Sequence, residues 1–87
     1  MPVSNLTTSK ITLFPFSGSP ANCAVYGVAE KSVTDDVDFY INGEAASSIT
    51  IPAGSPMIPI KRVGNIWKVE AAAHTSNATV DHGIIFG

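Results

Sequence analysis

Charged residues and cysteine are scarce in this sequence. Charged side chains make up 14% of the 87 residues, against about a quarter in an ordinary soluble domain. The single cysteine, Cys23, excludes an intramolecular disulfide, and with only two histidines there is no cysteine/histidine cluster for a structural zinc ion. Since a domain of this size has only a modest core, these absences predict that it is stabilised by assembly with other subunits.

The few charges are concentrated in the middle of the sequence. Lys10 is the only charged residue before Glu30, and Asp81 is the only one after Glu70. Both ends therefore consist of apolar and uncharged polar residues. If strands from the two ends lie side by side, their uncharged surface converges on one side of the molecule, where we expect contact with another protein.

Net charge and hydropathy exclude other partners. A net charge of −2 and a pI near 5.4 provide no electrostatic basis for binding nucleic acid or an anionic membrane. No apolar run approaches the roughly 18 residues of a membrane span. The opening MPVSNLTTSK has no basic region followed by an apolar core, so we expect synthesis in a cytoplasm without secretion.

Short alternating segments between turn signals predict an all-β chain. The clearest runs from Val37 to Ile41, and about seven such segments recur at roughly ten-residue spacing. This pattern predicts a small antiparallel β-sandwich or a barrel-like jelly-roll. Residues 1–9 show no alternation and are predicted to form an extended N-terminal arm, while residues 10–87 form a single domain.

Turn residues refine the strand prediction. Asn42-Gly43 favours a type I′ hairpin turn, with a weak return strand over residues 44–48. Gly64-Asn65 predicts a second tight turn that leads into a strand over residues 66–72. Pro15 and Pro59 cannot donate to a strand ladder, so we expect both at sheet edges, strand ends or bulges. The alternating apolar positions predict a core of Ile11, Leu13, Val25, Val37, Phe39, Ile41, Ile51, Ile60, Trp67, Val69, Val80 and Ile84.

No catalytic constellation stands out. His74, Asp81 and His82 do not have a metal-site or triad spacing, and Cys23 lies in an apolar strand with no cation nearby to activate its thiol. Asp35, Asp36 and Asp38 lack the other ligands of a calcium loop, so a solvated turn is the preferred interpretation. We therefore predict no enzymatic activity, no cofactor and no metal, although a small enzyme or metal protein that uses His74, Asp81 and His82 remains an alternative.

Five segments together resemble a known class of proteins. They are ITLFPF, VDFYING, ITIPAGSPMIPIKRV, GNIWKVEAAAH and ATVDHGIIFG, which span residues 10–87 in order. Their succession is similar to that of small accessory virion proteins of tailed bacteriophages. The likeness lies in the chemistry of strands and turns and includes no catalytic motif.

This resemblance implies a structural virion protein made in the host bacterial cytoplasm. Its expected activity is that of a capsid decoration or cement protein, which binds the major capsid protein or other virion subunits and forms a homo-oligomer, with a trimer favoured. The arm is expected to pair with a neighbouring subunit. The expected contact residues are Met1, Pro2, Val3, Leu6, Phe14, Phe16, Tyr40, Met57, Ile58 and Phe86.

A second binding function remains open from the sequence. Tyr40, Trp67 and the loop from Asp35 to Asp38 are suited to a receptor- or carbohydrate-binding module of a phage tail or fibre, because aromatic rings stack on sugars and carboxylates bind cations or hydroxyls. Clustering of these residues on one exposed face would favour this alternative.

Overall fold

The computed structural model describes residues 2–32 and 34–87, and this part of the chain contains eight β-strands. No helix long and apolar enough to cross a membrane occurs among the described residues. The strands are β1 (Val3–Leu6), β2 (Ile11–Phe14), β3 (Cys23–Glu30), β4 (Val37–Ile41), β5 (Ile49–Ile51), β6 (Ile58–Ile66), β7 (Val69–Ala73) and β8 (Ala78–Phe86).

The strands form two antiparallel sheets of four, with the orders β1-β8-β3-β6 and β2-β7-β4-β5. Pairing is nested along the chain: β1 pairs with β8, β2 with β7, β3 with β6, and β4 with β5. The chain is thus arranged as one long hairpin rolled into two layers, which is the jelly-roll arrangement. The predicted all-β sandwich is confirmed.

The core lies between the two sheets and follows the predicted alternation. Within β4, Val37, Phe39 and Ile41 are fully buried while Asp38 and Tyr40 face outward. Eight of the predicted core residues are buried, and Val25 and Ile84 are half-buried. The eight are Leu13, Val37, Phe39, Ile41, Ile51, Ile60, Val69 and Val80.

Three predicted core residues lie at the surface instead. Val25 is half-buried because it points outward from β3, opposite Lys61 and Phe86, and not into the core. Ile11 is 39% exposed because it begins the edge strand β2. Trp67 is 52% exposed because it lies in the two-residue crossover between β6 and β7, where its ring packs over Gly43. Alternation continues through this crossover in the sequence, but the chain changes sheets there.

The N-terminal segment is extended, but it belongs to the sandwich. Val3–Leu6 forms β1 and pairs with β8 of the same chain over four positions, from Val3 opposite Asp81 to Leu6 opposite Ala78. The Leu6 side chain is only 2% exposed. Burial of Leu6 and the ladder with β8 hold this segment on its own sheet, which therefore has an eighth strand that the sequence pattern did not predict.

The Asn-Gly turn forms as predicted, whereas the Gly-Asn pair has a different role. Asn42 and Gly43 both have positive φ, 55° and 77°, and the amide of Glu44 donates to the carbonyl of Ile41. The return strand begins only at Ile49. Gly64 and Asn65 also have positive φ, but they lie inside β6, where four residues of β6 (62–65) lie opposite a single residue of β3 (Ala24).

The two prolines lie where their missing amide donor is tolerated. Pro59 lies on β6, at one edge of its sheet, opposite Gly27 of β3. Pro15 directly follows β2, which is an edge strand of the other sheet. Both positions agree with the predictions from sequence.

Candidate functional site

The outer surface of the β1-β8-β3-β6 sheet is largely apolar. Because opposite residues of paired strands point to the same side, the register identifies its members. We call this surface the apolar face. It comprises Val3, Val25, Gly27, Ala29, Met57, Pro59, Gly83, Ile85 and Phe86, together with the polar residues Asn5 and Thr79 at one end and the charged residues Lys61 and Asp81.

Four large side chains of the apolar face are exposed to solvent. Phe86 is 68% exposed, Val3 62%, Ile85 46% and Met57 38%. Ile85 and Phe86 both lie opposite the β3 position of Val25, because β8 has a register shift there. Such a bulge turns two consecutive side chains toward one side. A continuous exposed apolar surface of this kind is typical of a protein–protein contact.

Two glycines form the centre of the apolar face. Gly27 of β3 lies directly opposite Gly83 of β8. A Cβ atom on Gly27 would lie 2.6 Å from Cδ1 of Ile85 and 2.7 Å from Sδ of Met57. The side chains of Ile85 and Met57 therefore lie over the backbone of Gly27, which requires the absence of a side chain at this position.

Asp81 is placed unusually for a carboxylate. It lies between Val3 of β1 and Ala29 of β3 on the apolar face. Its Oδ1 atom is buried and has no hydrogen-bond partner among the described residues. A buried carboxylate oxygen without a donor is costly in free energy, so this position favours a partner that supplies a donor.

The outer surface of the β2-β7-β4-β5 sheet has the opposite character. We call it the polar face, and its charged groups pair with one another. Nδ1 of His74 lies 3.0 Å from Oδ2 of Asp38, and Nζ of Lys68 lies 3.7 Å from Oε1 of Glu70. Nζ of Lys10 lies 4.5 Å from the centre of the Tyr40 ring. The apolar face thus combines β1, β3 and β8 from the charge-poor ends with β6 from the charged middle, whereas β2, which also comes from the charge-poor N-terminal end, belongs to the sheet of the polar face.

The predicted contact residues are divided between surface and interior. Val3, Met57 and Phe86 are exposed on the apolar face, and Pro2 is also exposed. Phe16 and Ile58 are half-buried and pack against the core. Tyr40 lies on the polar face, beneath Lys10. Met1 lies outside the described residues.

Two of the predicted contacts are core residues. Leu6 is 2% exposed, and Phe14 is fully buried. Leu6 points inward because it alternates with the outward Asn5, and the Phe14 ring packs against Tyr26 at 5.0 Å between ring centres. Neither side chain is available to a partner in this fold.

Sequence reasoning missed the centre and the charged members of the apolar face. Gly27, Lys61, Asp81, Gly83 and Ile85 were not predicted as contact residues. For Asp81, Gly83 and Ile85 the signal is the period of two in β8, where they alternate with the inward-pointing Val80, His82 and Ile84. Without the knowledge that β8 lies beside β3, this alternation does not identify an apolar surface.

A buried polar network crosses the same sheet on its inner side. Nδ1 of His82 lies 2.6 Å from the hydroxyl of Tyr26, and Nε2 lies 2.9 Å from Oγ of Ser4. Burial lowers the pKa of His82 and raises that of Tyr26, so both side chains are neutral near pH 7. The network links β1, β8 and β3 within the core.

The structure does not bring His74, Asp81 and His82 together. His82 is buried between the sheets and Asp81 points to the opposite side of the same strand. His74 follows β7 in the other sheet and pairs with Asp38, which raises its pKa. Among the described residues no group of three histidine, cysteine or acidic side chains is arranged to hold a metal ion.

The loop from Asp35 to Asp38 is bonded to two neighbouring loops through its carboxylates. Asp35 accepts hydrogen bonds from the amides of Thr75 and Ser76, and these bonds lower its pKa. Asp36 accepts one from the amide of Ala53. Trp67 lies beside Gly43, at the opposite end of β4 from this loop. Trp67 and the Asp35–Asp38 loop therefore do not form one carbohydrate site.

A polar cleft of about 460 Å³ lies where β1, the start of β8 and the segment after β3 meet. Its lining combines two apolar side chains with uncharged hydroxyl and amide groups, the kind of groups that hydrogen-bond a sugar. The lining residues are Asn5, Leu6, Thr7, Ser32, Thr34, Asn77, Ala78 and Thr79.

Comparison of the chain with protein-family models, with curated proteins and with solved structures gave no match.

Proposed function

We propose that this chain is a non-enzymatic structural subunit of a virion, a decoration or cement protein of a tailed bacteriophage that acts by binding other subunits through its apolar face. The observation that carries the proposal is the contrast between the two outer surfaces. Val3, Met57, Ile85 and Phe86 are exposed on one, whereas charged groups pair with one another on the other. The paired charges of the polar face are stable in contact with solvent, whereas the exposed apolar side chains of the apolar face are stabilised by contact with another protein.

Two further observations support the proposal. The jelly-roll arrangement is one that viral capsid proteins use, as do lectins. The resemblance of residues 10–87 to accessory virion proteins points the same way. The buried polar groups of His82, Tyr26 and Asp35 join strands and loops of the chain, and each is engaged in hydrogen bonds within the fold.

The proposed mechanism is mechanical. A subunit that binds only the assembled capsid lattice shifts the equilibrium toward that lattice by mass action, to an extent set by its affinity and its concentration. Burial of the apolar face supplies the favourable free energy, at roughly 25 cal/mol for each Å² of apolar surface removed from water.

Co-sedimentation with purified phage particles that lack the protein tests this function. We expect the wild-type chain to pellet with particles and Ile85→Asp, which places a charge in the apolar face, to bind at least tenfold more weakly. Ala46→Asp is the matched control, because Ala46 is an exposed apolar residue in the loop between β4 and β5. A wild-type chain that stays in the supernatant at all concentrations contradicts the proposal.

The polar cleft favours a second candidate, a carbohydrate-binding module of a phage tail or fibre. The side chains of Asn5, Thr7 and Asn77 line it and offer both donors and acceptors for sugar hydroxyls. Calorimetric titration with a panel of bacterial surface glycans tests this alternative. Binding that Asn77→Ala weakens and Ala46→Asp leaves unchanged would support it over the virion proposal.

A further inference from the structure

The two charged residues of the apolar face are placed symmetrically about Gly27. On β3, Gly27 lies midway between Val25 and Ala29. Lys61 of β6 is opposite Val25 on one side, and Asp81 of β8 is opposite Ala29 on the other. With strands about 4.8 Å apart and a rise of about 3.3 Å per residue, each charged residue lies about 8 Å from Gly27, in opposite directions.

This placement makes the apolar face complementary to itself. Consider a two-fold axis that runs parallel to the face, passes above Gly27 and is perpendicular to the line from Asp81 to Lys61. It brings Asp81 of one copy opposite Lys61 of the other. The same axis brings Lys61 of the first copy opposite Asp81 of the second. Two-fold contacts use one surface twice in this reciprocal manner.

We propose that the partner of the apolar face is a second copy of this chain, packed sheet against sheet about a two-fold axis at Gly27 with two reciprocal Asp81–Lys61 ion pairs. This inference rests on the proposed function, since it names the first partner of the same surface. The resemblance to virion proteins favours a trimer, whereas the positions of Asp81 and Lys61 point to a two-fold contact.

The shape of the face suits this packing. An axis in this direction makes the strands of the two copies cross at about 70°, near the orthogonal class of sheet packing. At the centre, the side chains of Met57 and Ile85 lie over Gly27 and supply the apolar contacts. Because Gly27 has no side chain, Met57 and Ile85 lie close to the backbone of β3, and the second copy packs against these two side chains.

The unpartnered oxygen of Asp81 indicates what the second copy supplies. Oδ1 is buried without a hydrogen-bond donor among the described residues. Lys61 is exposed, and its ammonium group carries donors on a flexible stem. Asp81 as a whole is half-buried, so an ammonium group from the second copy pairs with the exposed part of its carboxylate and neutralises a charge that the chain alone leaves poorly compensated.

The size of the face is near the lower limit for a stable contact. Four strands about 4.8 Å apart, with up to nine residues each, give a plane of on the order of 600 Å². Exposed side chains such as Phe86 and Ile85 increase the accessible area above that of the plane. A standard stable interface buries about 800 Å² on each partner.

Sedimentation velocity of the purified chain over a range of concentrations tests the proposal. We expect a reversible dimer for the wild type. Asp81→Lys and Lys61→Asp each bring like charges together at both pairs, so each is expected to raise the dimer dissociation constant at least tenfold. The double variant Asp81→Lys/Lys61→Asp restores both pairs and is expected to dimerise again.

An equimolar mixture of the two single variants provides the sharper test. Every pair between an Asp81→Lys copy and a Lys61→Asp copy is complementary, so the mixture should form heterodimers although each variant alone is monomeric. Ala46→Asp serves as the control for added charge, and circular dichroism establishes that each variant folds. The proposal is overturned if the wild type is monomeric, if the single variants dimerise like the wild type, or if the mixture fails to associate.

The two proposals fail in different ways. A wild-type monomer that still co-sediments with phage particles overturns the two-fold contact and leaves the virion function standing. If the charge variants dimerise as expected but the wild-type dimer does not co-sediment with phage particles, the two-fold contact is supported and the virion function is contradicted.

Discussion

The hydroxyl of Tyr26 lies 2.6 Å from Nδ1 of His82, and both side chains are fully or almost fully buried between the sheets. On the other side of the imidazole ring, Nε2 lies 2.9 Å from Oγ of Ser4. The neutral ring donates through one nitrogen and accepts through the other. One imidazole thus connects three adjacent strands from within the core, where an unpaired polar group would be costly.

The burial of His82 predicts a pH-dependent contribution to stability. Burial holds the folded-state pKa of His82 below its ordinary value of 6.5. The unfolded chain therefore binds more protons below pH 6.5, and the stability that neutral His82 confers is lost as the pH falls. We expect His82→Gln to lower the free energy of unfolding by about 1–3 kcal/mol at pH 7.5, because it breaks buried hydrogen bonds. This difference should shrink toward pH 5 in urea unfolding.

His74 provides the control for this pH dependence. Its hydrogen bond to Asp38 raises its pKa, so its contribution is present below pH 6.5 and is lost as the pH rises. The difference between His74→Gln and the wild type should therefore change with pH in the opposite direction. A pH-independent difference for His82→Gln contradicts the assignment of a neutral buried imidazole.

Ser4 is predicted to fasten the N-terminal strand. Ser4→Ala removes the hydroxyl bonded to His82 and is expected to cost about 0.5–1.5 kcal/mol. Because β1 is a four-residue edge strand, the loss should appear first as faster amide hydrogen exchange in residues 3–6. Asn5→Ala is the neighbouring control, since Asn5 bonds Thr79 on the exposed side. Equal acceleration in both variants would argue against a specific role for the inward bond.

The strands with the clearest alternation were the ones that the sequence could predict. In β4 every second residue from Val37 to Ile41 is buried, and the Asn42-Gly43 turn follows directly. The segment that forms β1 was predicted as an arm because it holds only one buried apolar residue, Leu6. Its strand conformation depends on the ladder with β8, which lies more than 70 residues away along the chain.

The alternation of apolar residues does not show which of the two sheets a strand joins. Trp67 continues the apolar pattern, but the chain passes from one sheet to the other there, and the ring remains half-exposed. The apolar face depends on the same information. Gly27, Gly83 and Asp81 acquire their arrangement only when β8 and β3 lie side by side. A period of two identifies the faces of a strand but not the neighbours of each face.

Glu30 is predicted to lower stability at neutral and alkaline pH. It is 2% exposed, Oε1 accepts from the amide of Ser32, and Oε2 has no partner among the described residues. Burial raises its pKa, with smaller contributions from Asp35 and Asp36. The folded chain therefore binds more protons than the unfolded chain, and stability is lost as the pH rises above the ordinary value of 4.5.

Replacement by glutamine tests the role of Glu30. Glu30→Gln retains an acceptor for Ser32 and removes the titration, so its stability relative to the wild type should increase between pH 4.5 and pH 8 in urea unfolding. Glu70→Gln removes a charge from the polar face and is the control for net charge. A Glu30→Gln variant whose relative stability is constant across this range would contradict the burial effect.

Asn42 is predicted to hold the crossover between the sheets. Its Oδ1 accepts from the amides of Trp67 and Lys68, and its Nδ2 donates to the carbonyl of Asn65, while its backbone has a φ of 55°. Asn42→Gly keeps the left-handed backbone and loses the side-chain bonds, at about 1–2 kcal/mol. Asn42→Ala should cost about 1–2 kcal/mol more, because a Cβ atom disfavours this conformation. Urea unfolding of the two variants separates the contributions. If Asn42→Gly is as stable as the wild type, the left-handed backbone conformation alone explains the contribution of Asn42 to stability. The hydrogen bonds of its side chain to the crossover then contribute nothing.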